Sequence, residues 1–172
     1  TRHLLELGHV RIGCISGPVS TAVSAMRVHG FLRAMSERGI EIEPAAIVES
    51  DFSGPGGQDA AGRLFDTVRP SAIFACNDMM GIGALRVAAE RGIAVPRQCS
   101  IIGFDDIELA AYTYPALSTV GQSVRALGEA AANMLIARIS GAMSGPTQRR
   151  VVSPRLVLRE STAVYAGVPQ YM

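Results

Sequence analysis

The sequence contains no lysine and no tryptophan, and only three of its 172 residues are cysteine. All sixteen basic residues are therefore arginine, which excludes a lysine Schiff base and the phosphate-binding loop whose lysine contacts the phosphates. The net charge is only +1, so the charge balance does not favour nucleic acid or an anionic membrane as a direct partner. No apolar run reaches the roughly 18 residues that a membrane span needs, and no signal-peptide pattern is present.

The cysteines are Cys14, Cys76 and Cys99. They lie in or beside apolar runs without a C-x-x-C spacing, which predicts buried free thiols in a reducing compartment. We therefore expect a cytoplasmic protein. The three histidines lack the spacing of metal ligands, so neither a metal nor a cofactor is expected.

What the sequence does contain is a regular alternation of short apolar segments and helical patterns. Strands are predicted at residues 10–16, 45–50, 71–77 and 99–105. Helices are predicted at about 22–38, 79–90 and 123–140, and a further helix follows the second strand and ends at residue 68. The strand segments are apolar throughout, as in a sheet covered on both faces. This pattern predicts an α/β fold, a doubly wound parallel sheet with helices on both faces.

Three local expectations accompany this fold. The first helix after residue 20 should turn one stripe to the core, formed by Val23, Met26, Gly30, Phe31, Ala34 and Met35. Residues 51–62, DFSGPGGQDAAG, should form a glycine-rich loop that leads into a helix. The last ten residues should form a loose tail.

Polar residues follow the predicted strands at the point where each strand ends. They include Arg27, Phe52, Asn77 and Asp105, which should meet because ligands bind beyond the carboxyl ends of parallel strands. Carboxylate, guanidinium, amide and aromatic groups together suit a polyhydroxylated ligand. Each residue also has a purely structural explanation, since Asn77 or Asp78 could cap a helix and the Asp105–Asp106 pair could start a turn.

Catalytic motifs are missing. GCISG does not have the spacing of a nucleophile elbow, and GIGALR, at residues 81–86, lies inside a predicted helix and is not a dinucleotide-binding fingerprint. No histidine is placed to act as a base near the carboxylates. The sequence therefore does not indicate an enzyme.

Read in order, several motifs resemble the LacI/GalR family of bacterial transcription regulators. The matching segments are HLLELGHVRIGCISGP, RVHGFLRAMSERGI, AIFACNDMMGIGALRVAAERGIAVPRQCSIIGFDD, YPALSTVGQSVRALGEAAANMLIARISG and VVSPRLVLREST. The resemblance extends to about Thr162. It implies a periplasmic-binding-protein-like fold, mainly the C-terminal lobe of an effector-binding domain.

The resemblance also implies how the chain is divided. Residues 1–121 should form the C-terminal lobe, 122–148 an excursion that belongs to the N-terminal lobe, 149–162 a final strand that returns, and 163–172 a tail. Operator DNA would be bound only through an N-terminal domain outside this sequence. The alternative is a fragment of a periplasmic-type sugar-binding protein, in which more tryptophan would be expected.

Roles for individual residues follow from the same resemblance. The effector, a sugar or another small molecule, would contact six residues: Arg27, Phe52, Asn77, Asp105, Gln122 and Val23. Of the two polar pairs, Asn77 and Asp105 would then point towards the effector, whereas Asp78 and Asp106 would cap or brace the adjoining backbone. Val23 departs from the family pattern, because several relatives have a hydrogen-bonding side chain at that position.

Partner surfaces are implied as well. The family is usually dimeric through this lobe, and the matching interface residues are Met80, Ile82, Tyr112 and Tyr114. The 123–140 helix carries an apolar stripe that should pack on the other lobe. In this chain alone we expect it to pack on, or swap with, a second copy.

Overall fold

The structure of the protein is a computed structural model, in which residues 1–146 and 148–167 are described. Its helices are α1 (Arg2–Glu6), α2 (Ala22–Ser36), α3 (Gly54–Thr67), α4 (Asp78–Glu90) and α5 (Val124–Ile139). Its strands are β1 (Ile12–Ser16), β2 (Ile47–Glu49), β3 (Ala72–Ala75), β4 (Ser100–Ile102), β5 (Thr119–Gly121) and β6 (Arg155–Val157). Two short 3-10 turns lie at Pro44–Ala46 and Glu108–Ala111. The predicted alternation of strands and helices is confirmed.

Four of the strands form one parallel sheet in the order β2-β1-β3-β4. Single parallel bridges from Ile102 to Ser118 and from Asp105 to Gly121 bring β5 alongside β4. β5 then pairs with β6 in antiparallel fashion. The carboxyl ends of β1, β3 and β4 therefore share one edge of the sheet, next to the end of β5.

The sheet is covered on both faces. Every residue of β1, β3 and β4 is buried, and the core includes large side chains from α1, α2 and α3, among them Leu4, Phe31 and Leu64. The three cysteines are buried free thiols, as predicted. Burial raises the pKa of the Cys99 thiol far above its usual range.

Glycines in α3 and α4 let these helices pack closely. A Cβ atom on Gly57 would lie 2.5 Å from the Met80 Cα, and one on Gly83 would lie 2.2 Å from the Gly54 carbonyl oxygen. The predicted loop at residues 51–62 is wrong beyond Ser53, because Ser53 caps α3 and the helix begins at Gly54. Of the glycines that suggested a loop, Gly57 serves close packing between helices, whereas a Cβ atom on Gly56 would meet Asp51 and Ser50.

The predicted core stripe of α2 is only half correct. Phe31, Ala34 and Met35 are buried, whereas Val23 and Met26 are 45% and 67% exposed and Gly30 is exposed. Helical spacing places these residues on one side of the helix. Phe31, Ala34 and Met35 belong to the core, whereas Val23, Met26 and Gly30 line a cavity and are not covered.

The end of the chain is docked as far as Tyr165, which corrects the expectation of a loose tail. The His9 ring contacts the Ala163 carbonyl oxygen at 3.0 Å, and the Tyr165 backbone N–H donates to the Leu7 carbonyl at 2.8 Å. The rings of His9 and Tyr165 lie 5.4 Å apart. The rest of the predicted tail, from residue 168 onward, falls outside the described residues.

α5 differs from the other long helices, because none of its residues is buried. The predicted division of the chain between residues 121 and 122 stays a prediction. So does the predicted return of residues 149–162 to the C-terminal lobe; within that range the only strand is β6. In the part of the chain that is described, no helix combines the length and the apolar character that crossing a membrane would require.

Candidate functional site

Arg27 lies one turn inside α2 and reaches across the carboxyl edge of the sheet. Its Nη2 atom contacts Asp105 Oδ1 at 3.0 Å, and its Nη1 atom donates to the carbonyl of Cys76, at the end of β3. The guanidinium lies over the Phe104 ring, 3.9 Å from the ring centroid. Its orientation is therefore fixed by a carboxylate, a backbone carbonyl and an aromatic face.

Asp105 is the centre of this arrangement. Gln122, just after β5, donates from Nε2 to the same Asp105 Oδ1 atom at 2.8 Å. Within the described residues no hydrogen bond to Asp105 Oδ2 is found, and the side chain is 32% exposed. One carboxylate oxygen is thus held by the protein, while the other remains an open acceptor.

The loop that carries Asp105 is braced by a buried carboxylate. Asp78 accepts hydrogen bonds from Thr119 Oγ1 at 2.5 Å and from the Ile107 backbone N–H at 2.9 Å. Burial raises the pKa of Asp78, and the hydrogen bond from Thr119 opposes that rise. Of the two roles predicted for Asp78, helix cap or brace of the backbone, these contacts match the brace, and the cap of α4 is Asn77 instead.

Asn77 is the residue that caps α4. Its Oδ1 atom accepts from the Met80 backbone N–H at 2.9 Å, and its Nδ2 atom donates to the Phe52 carbonyl at 2.9 Å. Both ends of the amide are therefore used within the protein. Phe52 has a positive φ of 66°, and its ring covers Gly17, where a Cβ atom would lie 2.0 Å from it. Asn77 thus holds an unfavourable Phe52 backbone in place.

A cavity of about 680 Å³ opens beside the Arg27–Asp105 pair. Three of the predicted effector residues line it, namely Val23, Arg27 and Gln122. Asp105 is not itself on the wall, but its carboxylate contacts two residues that are, Arg27 and Gln122. Asn77 and Phe52 are not on its wall; they form a neighbouring group, linked to Arg27 through the Cys76 carbonyl.

Several wall residues were missed by the sequence analysis. The apolar ones include Met26, Phe104, Val120 and Leu156, and the polar ones are Thr1, Arg2, His3 and Arg33. Phe104 could have been suggested by its position directly before Asp105. Met26 was assigned to the core, because periodicity cannot distinguish a core face from a cavity wall. Leu156 comes from β6, and nothing in the neighbouring sequence indicates that it would reach the cavity.

The site combines one open carboxylate oxygen, a guanidinium whose charge that carboxylate balances, an amide, and walls that are apolar apart from Thr1, Arg2, His3 and Arg33. Such a set can exchange hydrogen bonds with a neutral polar ligand and cover its apolar side. Among the residues the structure describes, no group of three or more His, Cys, Asp or Glu side chains is arranged to hold a metal ion.

The predicted interface residues differ in exposure. Tyr112 and Tyr114 are 76% and 97% exposed, so both are free to meet a partner. Ile82 is half-buried, and Met80 is fully buried in the core. Met80 therefore offers no surface to a partner, because the close contact of α3 and α4 covers it.

Comparison with known proteins places this geometry in a family. A sequence model of the periplasmic binding protein-like domain matches residues 1–162. The transcriptional regulator DegA of Bacillus subtilis, described as HTH-type, is 41% identical over 162 residues, which are 94% of this chain and 48% of that protein. The chain thus spans about half the length of the curated relatives it matches.

Solved structures agree with this assignment. The Escherichia coli transcriptional repressor ascG superposes with a TM-score of 0.88 at 33% identity, covering 94% of this chain and 59% of that one. The complex of the transcriptional regulator CelR with cellobiose gives 0.87 at 33% identity, covering 93% of this chain and 49% of that one. The chain therefore belongs to the periplasmic-binding-protein-like domain family, in the form that makes up the effector-binding domain of LacI-family transcriptional regulators.

Proposed function

We propose that this chain senses a small polyhydroxylated effector, such as a sugar, for a LacI-family transcriptional regulator. The observation that carries the proposal is the geometry of Asp105. Arg27 and Gln122 fix one of its oxygens, and within the described residues the other accepts no hydrogen bond. The side chain is 32% exposed and lies at the carboxyl edge of a parallel sheet, where such folds bind ligands. A carboxylate fixed in this way is ready to accept hydrogen bonds from ligand hydroxyls without rearrangement.

The surroundings of Asp105 favour a neutral ligand. The charge of Arg27 is already balanced by Asp105 at 3.0 Å, and the two other arginines on the cavity wall, Arg2 and Arg33, are paired with Glu37. A ligand carboxylate or phosphate would have to compete with these pairs. The Phe104 ring and the Val23 side chain supply apolar surface for the faces of a sugar ring. Val23 cannot form a hydrogen bond, so the effector would be held by one polar contact fewer at this position.

In the whole regulator we propose a shift between two conformations. An effector bound between two lobes would favour one orientation of the lobes and so alter the spacing of DNA-binding domains located elsewhere in the protein. The relatives support this proposal, because they are named as HTH-type regulators. The same proposal includes that the whole regulator binds operator DNA, that it is not an enzyme and that it is located in the cytoplasm.

We also propose that the chain associates with a second copy. Two surfaces support association: the exposed tyrosines at 112 and 114, and the apolar residues of α5. Val124, Leu135, Ile136 and Ile139 are each more than 60% exposed, and such a surface tends to become covered. Light scattering coupled to size exclusion should show a dimer; a monomer in which α5 stays helical would contradict the use of α5.

The effector site can be tested by titrating the 172-residue chain with neutral mono- and disaccharides, cellobiose among them. We expect weak binding, because the effector is proposed to bind between two lobes and the residues named here supply only one wall of that site. The signals of Arg27, Asp105 and Gln122 in NMR spectra should shift together and saturably. If shifts occur only at residues remote from Asp105, the proposed site is wrong.

Asp105→Ala should abolish that response and leave the circular dichroism spectrum unchanged. The matched control is Asp66→Ala, which removes an aspartate paired with Arg91 on the protein surface and should leave the titration unchanged. In the full-length regulator, Asp105→Ala should abolish the effect of the ligand on DNA binding. Equal loss in both variants would mean that the response is not specific to the site.

A further inference from the structure

Two successive residues of the proposed site have backbone conformations that favour glycine. Asp105 has a φ of 116° and Asp106 a φ of 61°. Side chains with a Cβ atom rarely adopt such values, and they persist only where the surroundings impose them. The position of the Asp105 carboxylate therefore depends on whatever holds this loop.

Arg159, two residues after β6, holds the loop from one side. Its Nη2 atom contacts Asp106 Oδ1 at 2.6 Å, and the two side chains are 19% and 21% exposed. Its Nη1 atom donates to the Leu117 carbonyl at 2.7 Å, so the guanidinium is anchored to the segment that leads into β5. The distance and low exposure make this a stronger interaction than an ordinary surface ion pair.

The Asp106 side chain also fixes the segment that carries Gln122. A Cβ atom on Gly121 would lie 3.1 Å from Asp106 Oδ2 and 3.2 Å from Asp106 Cβ, so Asp106 packs directly on the residue before Gln122. The Asp106–Arg159 pair thus holds both partners of the 2.8 Å bond between Gln122 and Asp105.

We propose that Arg159 is a positioning residue of the effector site, acting through Asp106 to hold the Asp105 carboxylate against Gln122 and Arg27. The name effector site rests on the function proposed above. The positioning role rests only on the contacts of these residues. Without the guanidinium, the Asp106 carboxylate would lose its only ionic partner in the described structure. The loop could then relax towards ordinary φ values and move Asp105 away from Gln122.

The second brace of the loop does not replace this contact. Asp78 accepts from the Ile107 N–H and so fixes the backbone after Asp106. It also accepts from the Asp106 backbone, but within the described structure no hydrogen bond joins it to the side chain of Asp106 or Gln122. Asp78 therefore sets the path of the loop, whereas Arg159 sets the orientation of its carboxylates.

The test uses Arg159→Met, Arg159→Lys and Asp106→Asn in the 172-residue chain, without ligand. Methionine keeps an unbranched stem but has no charge, lysine restores the charge, and asparagine tolerates positive φ while losing the charge. The readout is the exchange of the Gln122 side-chain amide protons with water, measured by NMR. A matched control is Arg86→Met, which removes an exposed ion pair with Glu90.

We expect exchange about tenfold faster in Arg159→Met and Asp106→Asn, a partial return in Arg159→Lys, and no change in Arg86→Met. If Arg159→Met lowers the unfolding midpoint but leaves the Gln122 amide protected, Arg159 is merely structural and the proposal is wrong. If that variant does not fold, Asp106→Asn decides in the same way, since it removes the same ion pair from the loop side.

The sugar titration separates this inference from the proposed function. If no sugar binds the unaltered chain but Gln122 is released in Arg159→Met, the proposed effector class fails and the positioning role stands. If a sugar binds and its affinity is equal in the unaltered chain and in Arg159→Met, the positioning role fails and the proposed function stands.

Discussion

α4 and α5 are built from the same local features, yet their surroundings are opposite. Each is capped by a side chain that accepts from the backbone three residues on, Asn77 in α4 and Ser123 in α5. Each carries an arginine–glutamate pair at spacing four on its exposed side. Eight residues of α4 are buried, and none of α5 is.

The difference comes from the surface that each helix meets. α4 lies against α3, and Gly57 and Gly83 let the two backbones approach closely. α5 has Gly128 in its interior, but a Cβ atom there would meet nothing within 4 Å. Capping and ion pairs therefore determine that a segment is helical, whereas burial depends on a complementary surface.

The largest effect should come from adding a methyl group where the helices touch. Gly83→Ala places a Cβ atom 2.2 Å from the Gly54 carbonyl oxygen, and the backbone cannot move aside as a flexible side chain would. We expect a loss of about 3 kcal/mol in the free energy of unfolding, measured with urea. Gly128→Ala is the matched change in α5 and should stabilise the chain by up to about 1 kcal/mol. Equal effects at both sites would refute the comparison.

A somewhat smaller effect is expected at the start of α4. Asp78→Ala leaves the Thr119 hydroxyl and the Ile107 N–H without their acceptor in a buried place, which should cost about 2 kcal/mol. Had Asp78 been the helix cap, the cost would be about 1 kcal/mol. Glu129→Ala in α5 breaks only an exposed ion pair and should change stability by less than about 0.5 kcal/mol. Urea unfolding of both variants at neutral pH makes the comparison.

A smaller part of the free energy of unfolding should depend on pH. The groups responsible lie in the packed part of the chain and not in α5. Burial lowers the pKa of His9, opposed by its hydrogen bond to Ala163, and burial also lowers the pKa of His3. The unfolded chain then binds protons that the folded chain refuses, so stability present above about pH 6.5 is lost as pH falls towards the folded pKa values.

Urea midpoints at pH 8 and pH 5 should show this fall, and His9→Gln should reduce it. The variant is compared with the unaltered chain at each pH, so that the contributions of other titrating groups, such as Asp78, to the difference cancel. α5 contains no histidine and should add nothing to the difference. A fall of the same size in both proteins would exclude His9 as its source.

The smallest effect is expected on α5 itself. Leu135 is 61% exposed, so Leu135→Ser should change the stability of the monomer by no more than about 0.5 kcal/mol. If α5 packs on a second copy, the same change should weaken the dimer measured by sedimentation. A large destabilisation of the monomer would mean that α5 packs within the chain.

The sequence predicted the sheet because its strands are apolar throughout and its helices are capped and terminated by recognisable residues. Thr21 and Ser123 are N-caps, and Gly39 and Gly92 have the positive φ expected beyond helix ends. The glycines of α3 were misread, since glycine marks both loops and close contacts. Met26 was misassigned to the core, because a helix shows the same apolar periodicity whether it packs on a core or lines a cavity.

The Asn77–Asp78 and Asp105–Asp106 pairs show where sequence reasoning ends. The sequence placed all four residues at one edge of the sheet, because parallel strands bring their carboxyl ends together. It could not say that Asn77 is the cap or that Asp78 contacts Thr119. It gave no indication that Arg159 would reach Asp106, since 53 residues separate them along the chain.

By itself, then, the sequence determined the order of strands and helices, the parallel sheet and the identity of the polar edge, because these depend on local preferences and on apolar patterning. The tertiary structure decided which side chains meet. Which oxygen of Asp105 is held, which helix is buried and which residue braces the loop depend on contacts between distant segments. Those contacts form only when the sheet is assembled, and no local pattern encodes them.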